Sequence, residues 1–331
     1  MQEDNDMSRI KEYLKKVLSY MEAQGIRKKI SLPYILFDVV VSYLRYGATI
    51  SDYFYFRFYE KKHYSRKTFM TAKDKAAFYK VMNDESERAL VQDKDIFNEK
   101  FKEYLKRESI AVPETSKQAF CEFIQDHATV FIKPVKTGGG SGIMKVETGS
   151  VDNAEELYDS ICSKGTHVVE AGIVQHHKMA ELHPQSTNSV RISSVLDGDE
   201  VKILFAVLRC GVGDSYVDNH NNGGLTMLVD IESGKVSSLA SGRKSLNVLK
   251  HPDTGIFFPG FQIPHWDKCI ELVDAAARKI PSVRYVGWDV AILEDGVCMI
   301  EANPGGDFNV WQEPTQVGRK EEMEQFRKRF E

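Results

Sequence analysis

The run from Val283 to Phe308, VRYVGWDVAILEDGVCMIEANPGGDF, restricts the fold of this chain more than any other stretch. It reads as two apolar strands, Val286 to Leu293 and Val297 to Ala302, joined by the turn signal Glu294-Asp295-Gly296. Asp289, Glu301 and Asn303 interrupt it, and a carboxylate in a strand core is costly unless a cation or donors meet it. The length of the turn decides where they point. A two-residue loop pairs Asp289 with Ala302 and sends Glu301 to the other face. A three-residue loop, with a left-handed Gly296 as a bulge, pairs Asp289 with Glu301 and Gly287 with Asn303, and Glu-Asp-Gly suits it. Three hard oxygen donors then share one face, the donor set of a Mg²⁺ site completed by water and phosphate. The plainer alternative is two carboxylates held by Arg or Lys in an ordinary sheet, and the hairpin alone leaves both open.

At 331 residues the chain has room for two or three lobes. Its 42% apolar and 28% charged content is ordinary for a soluble globular protein. A net charge of −4 with the signs mixed argues against nucleic acid as a main partner, which needs a clustered basic surface. Cys121, Cys162, Cys210, Cys269 and Cys298 are scattered with no CxxC or zinc spacing, and read as free thiols of a reducing compartment. The N-terminal MQEDNDMSRIKEY is too polar for a signal peptide. The longest apolar run, Leu32 to Tyr46, contains Asp38 and Arg45 and is too short to span a bilayer. The expectation is a cytoplasmic protein without a transmembrane segment.

Along the chain, Ile10 to Met21 has helical periodicity closed by Gly25, and a second helix opens at Ser31 with Pro33 in its first turn and stops at Gly47. Residues 51–67, SDYFYFRFYEKKHYSRK, interleave aromatics with Lys61, Lys62, Arg66 and Lys67. They read as an aromatic core element with a solvated basic end, in preference to a lipid surface or polyanion site. Thr71 to Met82 is a short helix, so residues 1–90 form a helical N-terminal region. Asp93 is a candidate N-cap for a helix over Lys94–Lys106, and another covers Lys117–His127.

In TVFIKPVKTGGGSGIMKVE, residues 129–147, a strand carrying Lys133 leads into Gly138, Gly139, Gly140, Ser141 and Gly142, then a second strand. No GK[ST] follows and the spacing is not GxGxxG, so this is neither a Walker loop nor a dinucleotide fingerprint. It is a glycine-rich hairpin tip whose free N–H groups can approach oxyanions, and the lysine four to five residues earlier favours phosphate over a plain turn. A helix over Asn153–Cys162 leads to the strand Val168-Val169, after which Glu170 and the following backbone form a hinge able to read a purine edge. His176, His177 and His183 fit no common zinc spacing. Arg191 and Arg209 lie inside apolar strands and need an anion, either a ligand or Asp289 and Glu301. The loop 211–230 gathers Asn219, Asn222, Gly223 and Gly224, and an amphipathic helix over His265–Ile280 precedes the hairpin.

A strand lysine, a glycine-rich tip, a hinge glutamate, strand arginines, an Asn…GlyGly loop, and Asp then Glu-x-Asn on a terminal hairpin follow one order. That order, over roughly Asp93 to Gly318, resembles the ATP-grasp superfamily and within it the sugar-transfer associated proteins of polysaccharide biosynthesis. The resemblance implies an α+β fold in which two α+β lobes clasp ATP. The expected division is a helical region over 1–90, a linker helix and small lobe over 91–166, and a large lobe over 167–331. It implies Lys94 and Lys133 on the α- and β-phosphates, Gly138–Gly142 closing over the phosphates, and Glu170, Ala171 and Ile173 at the adenine edge. Asp289, Glu301 and Asn303 should hold Mg²⁺, or Mn²⁺ in its place. Arg191 should meet the γ-phosphate, and Arg209 and Asn219 the acyl-phosphate or its carboxylate precursor. Many relatives hold the ribose with an acid after the hinge. Here that region is Gln175-His176-His177, which leaves His177 as the candidate contact.

The activity so implied is ADP-forming carboxylate–amine ligation through an acyl-phosphate, on small-molecule acids and amines that are sugar-linked. The rivals are a kinase on the same fold, which leaves the phosphate on a hydroxyl, and a non-catalytic nucleotide-binding module. No residue stands out as a nucleophile, which agrees with a substrate carboxylate attacking ATP directly.

Overall fold

A computed structural model describes residues 2–135, 142–219, 223–242, 245–306 and 308–331. The helical region comprises α1 (Gln2–Ala23), α2 (Leu32–Tyr46), α3 (Ile50–Tyr55), α4 (His63–Arg66) and α5 (Ala72–Met82). As the periodicity requires, α2 starts after Ser31 and closes on a left-handed Gly47 (φ 67°). The aromatic stretch is core: Tyr53, Phe54, Phe56 and Phe58 are buried with Phe69 against Ile35 and Val39 of α2. Its basic end is not uniformly solvated. Arg66 is buried in a two-pronged pair with Asp38, at 2.6 and 2.8 Å, because Asp38 lies on the inward face of α2.

Short helices α6 (Ala89–Gln92), α7 (Lys94–Lys100) and α8 (Lys102–Leu105) follow. The single helix expected over Lys94–Lys106 therefore breaks at Phe101 (φ −109°, ψ 18°), which is wholly buried with Phe97 against Trp288. Packing of those rings overrides helical continuity.

A small lobe is built from β1 (Ser109–Val112), α9 (Lys117–Asp126), β2 (Thr129–Pro134), β3 (Met144–Glu147), α10 (Ala154–Cys162) and β4 (His167–Ala171). Its antiparallel sheet has the order β1-β4-β2-β3, and Val130, Ile132 and Val169 bury against Phe120, Phe123 and Ile124 of α9 and Ile161 of α10. Since β4 pairs with both β1 and β2, the lobe extends through Ala171 rather than ending at 166.

The large lobe contains α11 (His177–Leu182), β5 (Ser189–Asp197), β6 (Glu200–Cys210), β7 (Leu225–Val229), β8 (Ala240–Gly242), β9 (Ser245–Val248), α12 (Trp266–Arg278), β10 (Tyr285–Leu293), β11 (Gly296–Asn303), α13 (Asn309–Thr315) and α14 (Lys320–Arg327). Its antiparallel sheet runs β11-β10-β5-β6-β7-β8-β9. Val190, Ile192, Leu208, Trp288, Val290 and Ile292 alternate onto the face covered by α12, whose Cys269, Leu272, Val273 and Ala276 form its apolar stripe. The helical region docks on the opposite face. Tyr79 of α5 stacks on Tyr285 at 5.5 Å, and Asn83 donates to the carbonyls of Tyr285 and Pro304 at 2.9 and 2.7 Å.

Candidate functional site

The hairpin pairs Asp289 with Glu301 and Gly287 with Asn303. Opposed residues share a face, so the two acids and the amide lie together. The device that achieves this differs from the three-residue turn. Leu293 pairs with Gly296, leaving a two-residue turn at Glu294-Asp295, and Gly296 does not have positive φ. The extra residue is Ile300, bulged between the Val290–Met299 and Asp289–Glu301 pairs, and it lines the cleft beside Glu301.

Strand alternation then stacks cations beside the acids. Asp289 stands opposite Arg191 on β5, and Arg209 comes one strand further on β6. Arg191 Nε and Nη2 donate to Asp289 Oδ1 and Oδ2, each at 2.7 Å, and Arg209 Nη2 donates to Oδ2 at 2.6 Å. Asp289 is buried, which by itself raises its pKa, but the two guanidinium charges pull it down to about 2. Glu301 is pushed up, first by burial and then by the Asp289 charge to which it is hydrogen-bonded. Three guanidinium hydrogen bonds occupy most of the roughly four lone-pair positions of Asp289. Asn303 Oδ1 accepts from Gly305 N–H at 2.8 Å, which orients the amide. A hard divalent cation fits this set. Glu301, with 39% of its side chain exposed, and Asn303 would be its principal protein ligands, with the remaining Asp289 position behind them, and it would relieve the repulsion between the two carboxylates.

Arg209 is also held by Ser189 Oγ, at 2.8 Å from Nη2, while the Ser189 N–H and hydroxyl both donate to Asp218. Its Nη1 has no protein partner among the described residues.

Glu170 forms a second centre. Its carboxylate accepts from Lys133 Nζ at 2.6 Å, Arg107 Nε at 3.0 Å and Asn98 at 3.1 Å. Burial would raise its pKa, but Arg107 and Lys133 outweigh that and lower it to about 2. The glutamate expected at an adenine edge is thus an ion-pair hub whose side chain is fully engaged. The hinge backbone is engaged too: Ala171 N–H donates to Glu108 O at 3.0 Å and Gly172 N–H to Thr129 O at 2.8 Å. Lys94 leans across to the Pro134 carbonyl at 3.0 Å, and burial lowers its pKa.

One cleft between the two sheets is lined by Lys133, Glu170, Ala171, Ile173, Arg209, Asn219, Asp289 and Glu301. Phe131, Ile143 and Ile300 add flat apolar walls. Lys94 and Asn303 line an adjoining cavity that shares Lys133, Glu170 and Glu301. Arg191 is not among the residues that line the cleft, and its Nε and Nη2 both donate to Asp289. His177 is not among the residues that line the cleft either. Its ring meets Glu294 at the hairpin turn, 3.0 Å away, with His176 stacked on it, whereas His183 turns away to Ser186 and the Gly213 carbonyl. Gly138, Gly139, Gly140, Ser141 and Asn222 lie outside the described residues, and Gly142 has φ 74° at the start of β3's approach. The sequence reading passed over Arg107, Asn98 and Asp218. Arg107 sits in an ordinary charged run, Lys106-Arg107-Glu108, and gives no local signal. Asp218, next to Asn219, could have been sought as the partner that a buried Arg209 requires.

The profile of the sugar-transfer associated ATP-grasp family matches residues 59–328. The chain belongs to that family. Among solved structures it resembles the ATP-grasp ligase PsnB complexed with minimal precursor, at 13% identity and TM-score 0.46, covering 75% of this chain and 63% of that one. It also resembles the VanG D-Ala:D-Ser ligase from Enterococcus faecalis, at 15% identity and TM-score 0.47, covering 73% and 62%. The D-alanyl-alanine synthetase A from Vibrio cholerae O1 biovar eltor follows at 13% identity and TM-score 0.40, covering 65% and 55%. The chain thus spans less than two thirds of each of these ligases. No curated protein matches it.

Proposed function

We propose that this ATP-grasp chain is an ADP-forming carboxylate–amine ligase, and that its acid or its amine is attached to a sugar. The observation that supports this reading best is the Asp289–Glu301 pair beside Asn303, backed by Arg209 and opening into a cleft with apolar walls. Phosphoryl transfer asks a protein mainly for positioning and charge neutralisation, and this cleft is equipped for both. The apolar walls from Phe131, Ile143, Ala171 and Ile173 suit a purine ring, with Lys133 at the phosphate end. Mg²⁺ held by Glu301, Asn303 and Asp289 supplies charge neutralisation at the phosphates when bound. Arg209 Nη1 and Asn219 face the acid. A bond forms between a carboxylate oxygen and the γ-phosphorus as the bond to the ADP oxygen breaks. The amine nitrogen then attacks the acyl carbon, phosphate leaves, and the nitrogen loses a proton to give the amide. Arg191 acts one layer back, holding Asp289 ionised.

The test is a screen of sugar acids and amino sugars for ADP release, with hydroxylamine added to trap an acyl-phosphate as its hydroxamate. Release of free phosphate with hydroxamate formation is expected. Phosphate retained on the acceptor, with no hydroxamate, would make the chain a kinase and overturn the ligase reading.

A further inference from the structure

Helix α2 presents an apolar face to water. Tyr34, Phe37, Val40 and Leu44 recur at spacings of three and four and fall on one outward stripe, with Phe37 69% and Leu44 77% exposed. The inward face carries Asp38 and Ser42, held by Arg66. The helix is thus apolar on both faces: Ile35 and Val39 are buried beside the acid, and Tyr34, Phe37, Val40 and Leu44 stand outside. Asp38 and Arg45 are its only charged residues, and Arg45 stands in the last turn at the edge of the stripe.

The surroundings of this face are cationic. Helix α4 is fixed against α2 by Arg66 and by the Tyr46–His63 hydrogen bond at 2.6 Å. Lys62, Tyr64 (67% exposed) and Lys67, in or next to α4, are exposed, and Lys28 and Lys29, also exposed, lie just before the start of α2. Among the described residues none of Lys28, Lys29, Arg45, Lys62 and Lys67 has an acidic partner. Residues 1–67 carry 13 Lys and Arg against 8 Asp and Glu, whereas the rest of the chain carries 31 against 40. The negative charge of the whole molecule is therefore on the catalytic lobes, and the region with the exposed stripe is positive.

We infer that the outward face of α2, in its basic region, docks in plane on an anionic phospholipid surface. An apolar stripe of aliphatic and aromatic side chains on a region with exposed, unpaired Lys and Arg is the pattern of an interfacial helix, and exposed tyrosines suit the headgroup level. No helix among the described residues is long and apolar enough to cross a membrane, so the attachment is peripheral. A second copy of this chain is a poorer occupant, because a twofold contact would set the cationic region against itself. This inference does not depend on the ligase reading.

The test is co-sedimentation of the full chain with vesicles of phosphatidylcholine containing about 30 mol % phosphatidylglycerol, and with phosphatidylcholine alone. Two variants are compared, Phe37→Ser/Leu44→Ser and Arg45→Gln/Lys62→Gln/Lys67→Gln. Wild type should partition onto the anionic vesicles and be released by salt at roughly 0.5 M. Each variant should partition at least about tenfold more weakly, with an unchanged thermal midpoint, since all five side chains face solvent. A wild-type chain that stays in solution with anionic vesicles would overturn the inference, as would a serine variant that sediments like wild type. Dimerisation in vesicle-free buffer that the serine variant abolishes would instead make the face a contact between copies, and would equally overturn it.

Discussion

Asp289 and Glu301 stand opposite each other, yet their replacements are expected to fail in different ways. The Glu301 pKa is raised by burial and by the neighbouring Asp289 charge, so Glu301→Gln removes the repulsion between the two carboxylates. Turnover should drop about 10²–10³-fold while the urea midpoint holds or rises. Asp289→Asn strands Arg191 and Arg209, both buried, opposite a neutral amide, and should cost about 3–5 kcal/mol in urea unfolding. Equal loss of stability in the two variants would undo this division of labour. Glu170 gives a pH signature. Its carboxyl titrates at about 2 in the fold against 4.5 ordinarily, so the unfolded chain takes up its proton first as pH falls. Its contribution is complete above about 4.5 and lost toward pH 2, about 3 kcal/mol in all, so the stability gap between wild type and Glu170→Gln should close over that window. The identities of Asp289, Glu301, Asn303, Lys133 and Arg209 were legible in the sequence because charged or amide groups inside apolar strands demand an explanation. The role of Glu170 was not legible, because two of its three partners, Asn98 and Arg107, are polar residues whose direction the apolar periodicity of their segment does not fix.

At the scale of elements, the bulge at Ile300 does what the sequence alone assigns to a wider turn. Both devices insert one residue between Leu293 and Glu301, so the facing of the two acids was readable while the position of the extra residue was not. A bulge frees backbone carbonyls, and Arg107 takes them. Its Nη1 donates to Met299 O at 2.5 Å, Nη2 to Ile300 O at 3.0 Å, and Nε to Glu170. One guanidinium thereby ties the last strand of the small sheet to the bulge that carries Glu301. Arg107→Lys keeps the charge but loses the fork, and should cost about 2–3 kcal/mol of stability and raise the KM for ATP several-fold. An unchanged KM would mean that the bulge holds Glu301 in place without this tie. The broken helix over Lys94–Leu105 has the same lesson. Its apolar periodicity was visible, but its interruption comes from the fit of Phe101 against Trp288, a contact across 187 positions of chain that no local pattern carries.

In the whole molecule the loop after Asn303 links the helical region to the candidate metal ligands. Asn83 donates to Tyr285 O and Pro304 O and accepts from Tyr285 N–H at 2.8 Å, all buried. Tyr79 and Tyr285 both donate to Gly306 O, at 2.9 and 2.7 Å. Residues 304–306 directly follow Asn303, so the segment that sets the position of one candidate metal ligand is clamped by a helix more than 200 positions earlier. The end of α5 is thereby packed into the large lobe beside the candidate site. Asn83→Ala removes three buried hydrogen bonds and leaves two carbonyls and an N–H to be satisfied elsewhere, at a cost of about 2–3 kcal/mol in urea unfolding. Because the loop it releases begins at Asn303, ATP should also bind several-fold more weakly in the presence of Mg²⁺, while binding without the metal should change little. Calorimetric titration of wild type and variant with and without Mg²⁺ separates the two effects. Equal weakening in both conditions would mean that Asn83 acts on the fold as a whole and not through the Asn303 loop.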